Sequence, residues 1–91
     1  MLQVEDKLSY SGKTLKEIRE DRGLSLEEMA ESTRIAKRHL INIEEENFSD
    51  LPSIIYLRDF LGSYVRLLDL DEVEVLRQMS ERFDQWEKRT I

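Results

Sequence analysis

Two groups of side chains here have types and spacings suited to recognising another macromolecule. Lys37, Arg38 and Asn42 fall close together in a polar stretch. Arg and Asn are the side chains whose planar ends pair with guanine and adenine edges, so this group would read duplex DNA. Tyr56, Phe60 and Tyr64 recur every four residues with Arg58 among them. Aromatic and Arg side chains concentrate at the energetic centres of protein interfaces, so this group would anchor a protein partner.

Catalysis has little to stand on. His39 is the lone histidine and lies in a polar, charged stretch, where such side chains are ordinarily surface groups. There is no Ser-His-Asp spacing, glycine-rich phosphate loop or His/Asp metal cluster. The chain has no cysteine, which excludes a disulfide scaffold and a Cys-based zinc site. An enzyme is not expected, nor is a metal or any other cofactor.

The elements that would carry these groups are all helical. Leu15 and Ile18 share one side of a first helix over about residues 14–22, and Gly23 suits the left-handed residue that ends it. Ser25 and Glu28 form a capping box, with Leu24 and Met29 at the staple positions, opening a second helix over 26–32. A tight turn at 33–35 leads to a third helix, 36–46, with Leu40 and Ile43 inward. Two helices joined by so short a turn match the helix-turn-helix pattern. Pro52 belongs in the first turn of a fourth helix, 53–68, because its missing N–H costs nothing there. Asp71 and Glu74 make a second capping box, and Val73, Leu76, Met79, Phe83 and Trp86 give the last helix its apolar side.

The expected fold class is therefore all-α: a five-helix domain of helix-turn-helix type over residues 12–86. Residues 1–11 read as a flexible leader and 87–91 as a tail. No apolar run approaches the roughly 18 residues of a membrane span, so no membrane contact is expected within these residues and the location is cytoplasmic. A membrane tether would belong to a longer parent chain.

Charge weighs between the two recognition groups. The net charge is −6. Glu27, Glu28 and Glu31 load the second helix, and Asp69, Asp71, Glu72 and Glu74 outweigh Arg77 further on. Glu44, Glu45 and Glu46 stand at the far end of the third helix. Carboxylates near a phosphate backbone weaken binding, so DNA is a disfavoured partner. Glu44 can instead reach Arg19 as a structural pair.

The fourth helix is the stronger site. Ile54, Leu57, Leu61, Val65 and Leu68 form the stripe that docks on the core, while Tyr56, Phe60 and Tyr64 follow a separate line. A helix apolar on two sides must bury the second against something. Two coverings are open: the last helix, through Val73, Leu76, Phe83 and Trp86, or another protein.

The run Gly12-x-x-Leu15-x-x-Ile18-Arg19-x-x-x-Gly23-Leu24-Ser25-Leu26-x-x-Met29-Ala30 resembles the lambda-repressor/Cro-type helix-turn-helix. The continuation through Leu40, Ile43-Glu44-Glu45, Phe48, Leu51-Pro52, Tyr56, Arg58, Phe60-Leu61 and Ser63-Tyr64 resembles the cytoplasmic domain of RodZ-type proteins. The resemblance covers about residues 12–86. It implies a module that binds the actin-like filament protein MreB under the bacterial inner membrane, contributing to cell shape. The family's filament-contacting aromatics fall on Tyr56 and Phe60. Three positions depart from the pattern: Glu46 and Asp59 replace glycines, and Leu26 replaces a Gln that holds a phosphate in repressors. The alternatives are a Cro/repressor-type regulator using Lys37, Arg38 and Asn42, or a helical domain whose aromatic helix packs on a neighbouring domain.

Overall fold

A computed structural model describes residues 9–51 and 53–90, so the first eight residues, Pro52 and Ile91 lie outside the described residues. Five α-helices are found among them: α1 (Gly12–Asp21), α2 (Leu26–Thr33), α3 (Lys37–Glu44), α4 (Ile54–Leu67) and α5 (Glu72–Thr90). A single 3-10 turn, Phe48–Asp50, precedes α4, and the described residues contain no strand.

Local chemistry sets most of the helix ends. Ser11 caps α1, accepting from the Thr14 N–H at 3.2 Å. The Ser25–Glu28 box forms in both directions at the start of α2, with bonds of 2.8 and 3.0 Å. At α5 half of the expected box forms. Asp71 accepts from the Glu74 N–H at 3.2 Å, but the Glu74 carboxylate turns instead to Arg77 and Gln78.

Three helices end in the same paired-bond motif. The N–H two residues past each helix's cap bonds back five residues, and the N–H before it bonds back three, around one left-handed residue. Those residues are Gly23 (φ 73°), Glu46 (φ 54°) and Asp69 (φ 58°). Gly23 is the residue type that favours this conformation and Asp visits it occasionally, whereas Glu46 carries the full Cβ penalty. Glu46 ends α3 two residues earlier than the apolar spacing suggested.

The interior is built on α4, whose Leu57, Leu61 and Val65 are fully buried together with its cap residue Leu68, while Ile54 at the head of the expected stripe is half-buried. The α1–α2–α3 unit supplies Leu15, Met29, Leu40 and Ile43 to the same core. On α5 the inward residues are Val75, Met79 and Phe83. Val73, expected to face in, is 79% exposed. It stands two residues from Val75, and positions two apart lie on opposite sides of a helix.

Gly12 is demanded by packing. A Cβ there would sit 2.4 Å from the carbonyl oxygens of Ile43 and Glu44, so α1 can start against the end of α3 only with a glycine. Residues 9–11, read from sequence as leader, are tied in: Tyr10 is buried and its N–H donates to Gln78 Oε1 at 2.7 Å. At the other end, α5 continues to Thr90, through the stretch read as a tail.

Candidate protein-docking surface

One buried cluster holds α4 against α1 and α3. Arg19 on α1 makes a paired bond to Glu44 on α3, Nε to Oε2 at 2.7 Å and Nη2 to Oε1 at 3.1 Å. Its third nitrogen donates to the Leu24 carbonyl at 2.7 Å. Tyr64 on α4 donates its hydroxyl to Glu44 Oε2 at 2.5 Å. The Glu44 carboxylate raises the affinity of Arg19 for its proton above the ordinary arginine value. Burial, and then the neighbouring Glu44, push the Tyr64 hydroxyl far above the usual tyrosine range.

Tyr64 therefore leaves the docking line. It is fully buried, so the i, i+4, i+8 spacing that grouped it with Tyr56 and Phe60 placed it one face too far outward. Over two turns of α4 the line drifts into the core, where a hydroxyl with two acceptors is better placed than in water.

Tyr56 and Phe60 stay at the surface. Tyr56 is 49% exposed and Phe60 is half-buried, with their ring centroids 5.8 Å apart. The last helix does not stack rings on them. Its own aromatics, Phe83 and Trp86, turn to Phe48, at 5.4 and 5.9 Å. What Phe60 does meet is His39 of α3, stacked at 4.8 Å with planes 26° apart. A row of three rings thus runs from α4 onto α3.

Arg58 does not join that row. It lines a hollow between α4 and α5 with Val73, Leu76, Ser80 and Asp84. Two residues from either ring, it points to the other flank of the helix.

The base-reading group is placed differently again. Lys37 bonds Glu27 of α2 at 2.5 Å, and this neighbour holds the Glu27 carboxyl below its ordinary value. Arg38 is exposed and Asn42 half-buried, and the exposed Glu45 caps the end of α3. Glu27, Glu28 and Glu31 are all exposed on α2. The surface around α2 and α3 is therefore of mixed charge rather than a cationic strip.

Sequence reasoning missed His39 as a ring partner and Glu46 as a clamp. The Glu46 carboxylate accepts from the Gly12 N–H at 2.8 Å and from Arg82 Nε at 2.7 and 2.8 Å, joining α1 and α5 to the end of α3. The departure from glycine at this position was the available signal for Glu46. For His39 there was none, because the crossing of α3 and α4 is not written in either helix's spacing.

The family profile of a helix-turn-helix domain matches residues 14–75, two thirds of the chain and nearly all of α1 to α4. This chain belongs to that helix-turn-helix domain family. The cytoskeleton protein RodZ of Streptococcus pneumoniae is 38% identical over 65 residues, covering 71% of this chain and 24% of that protein. An uncharacterized membrane protein of Bacillus subtilis, YmfM, is 31% identical over 55 residues, 60% of this chain and 19% of that one. The helix-turn-helix domain thus spans about a quarter or less of the curated relatives it matches, and it is RodZ-like in sequence as its motifs indicated. No solved structure matches it.

Proposed function

We propose that this helix-turn-helix domain is a protein-interaction module that docks an actin-like cytoskeletal filament of the MreB type through Tyr56 and Phe60 of α4. The supporting observation is that these rings lie at the surface, clear of the α5 aromatics, although they sit on an otherwise core-forming helix. Similarity to a cytoskeleton protein and to a membrane protein supports the same reading. No helix among the described residues is long and apolar enough to cross a membrane, so in this reading the domain is the cytoplasmic part of a parent chain anchored elsewhere.

Docking would work by burial: two rings enter apolar hollows on the filament subunit, excluding water from a small centre. The DNA alternative has less support, since Lys37 is paired and its neighbourhood carries Glu27, Glu28 and Glu31.

Cosedimentation with MreB filaments tests the proposal. Tyr56→Ala and Phe60→Ala should each weaken binding by about 2 kcal/mol, roughly thirtyfold, with helical content unchanged. Unchanged binding by both folded variants overturns it. Retardation of duplex DNA at low salt, lost on Lys37→Ala or Arg38→Ala, would establish the alternative.

A further inference from the structure

The aromatic row does not stop at α4. The geometry points to His39 of α3 as a third member of the docking surface: its ring positions Phe60, and its outer nitrogen donates a hydrogen bond to an acceptor on the partner. This extends, and rests on, the reading that Tyr56 and Phe60 face a protein.

Phe60 has two ring neighbours, His39 at 4.8 Å and Tyr56 at 5.8 Å. A half-buried phenylalanine loses rotamer freedom when it enters a pocket, and that loss opposes binding. The near-parallel imidazole, 26° from the Phe60 plane, removes part of that freedom beforehand. His39 is thus a positioning residue, supplied by the helix that in repressors reads bases.

Its nitrogens are not equivalent. Nδ1 is buried and has no hydrogen-bond partner among the described residues, whereas Nε2 is not closed off in this way. A buried N–H without an acceptor is rarer in folded proteins than a lone pair without a donor. The proton of neutral His39 therefore belongs on Nε2. That leaves an N–H beside Phe60 with no acceptor among the described residues, suited to a carbonyl or carboxylate oxygen of the partner.

Three substitutions separate the two roles. His39→Ala removes ring and donor, His39→Phe keeps a ring without the donor, and His39→Gln keeps a donor near the Nε2 position without the ring. With MreB filaments as the probe, His39→Ala should weaken binding about thirtyfold. His39→Phe should recover most of this, remaining about fivefold weaker than the parent. His39→Gln should fall between the two. In the free domain, nitrogen-15 histidine spectra should show the proton on Nε2. Phe60 ring resonances should move in His39→Ala and return in His39→Phe.

If Tyr56→Ala loses binding while His39→Ala does not, the role of His39 is refuted and the docking face stands. If neither variant loses binding, both fall together. A proton found on Nδ1, or Phe60 resonances indifferent to His39→Ala, refutes the donor or the positioning role respectively.

Discussion

Cutting one partner out of the Arg19–Glu44 pair should destabilise the domain strongly, whereas removing both should cost no more than removing one. Arg19 and Glu44 are 5% and 6% exposed, one on α1 and the other on α3, and Tyr64 of α4 bonds to the same carboxylate. In Glu44→Leu the guanidinium keeps the Leu24 carbonyl and a distant Glu20 at 3.9 Å, but loses its buried counter-charge. Breaking a buried pair from one side costs about 3–5 kcal/mol, because the remaining charge stays desolvated. The Glu20 contact argues for the lower end, about 3 kcal/mol. A 91-residue domain has about 5–14 kcal/mol of stability in total, so the variant should still fold at 25 °C. Its melting temperature should drop by about 12–24 °C. Arg19→Met should cost a similar amount, since among the described residues Glu44 would keep only Tyr64 as a side-chain donor. The double variant Arg19→Met/Glu44→Leu removes both charges and leaves apolar groups of similar size. It should therefore be no less stable than either single variant, a coupling of about 3 kcal/mol. Urea unfolding followed by circular dichroism measures all three, and equal m-values license the comparison. Single losses below about 1 kcal/mol, or a double variant that adds the two, would refute the argument that a desolvated charge dominates.

Two further outcomes follow from the neighbouring chemistry. Tyr64 holds its proton far more tightly in the folded domain than at the ordinary value of 10.0 for the unfolded chain. Its contribution is therefore complete below pH 10 and is lost above it, as the unfolded chain ionises while the folded one does not. Stability should fall by up to about 1.4 kcal/mol per pH unit there from this group, and Tyr64→Phe should remove that slope, as urea titrations between pH 9 and 11 would register. At Glu46, Ala should cost about 1–2 kcal/mol by releasing Gly12 and Arg82, whereas Gly should recover about 1 kcal/mol of it by relieving the left-handed backbone. Thermal melts of the two variants compare directly, and an Ala variant as stable as the Gly one would refute the strain.

The sequence by itself determined the helical architecture. Leu57, Leu61, Val65 and Leu68 recur at helical spacing, and their burial follows from that repeat. Ser25 with Glu28, and Gly23 after α1, write their hydrogen bonds into neighbouring residue types, so those boundaries were legible. The Arg19–Glu44 pair was legible too, because both residues sit on the inner sides of short helices that must meet. Where α3 ends in a left-handed residue that is not glycine, at Glu46, the departure from glycine was legible but its compensation was not, because the carboxylate is held by distant Gly12 and Arg82.

Tertiary structure alone decided which apolar residues remain outside. Tyr56, Phe60 and Tyr64 obey one spacing rule, yet Tyr64 is buried against Glu44 and Leu15 while Tyr56 faces water. Periodicity gives the angle of a side chain around its own helix, but not how the neighbouring helix crosses it. The same gap sent Val73 outward instead of Val75 and put Arg58 beside α5. It also brought His39 under Phe60, from a helix whose sequence looks built for DNA. Crossing angles arise from side chains of several helices packing at once, and that is information no single segment holds.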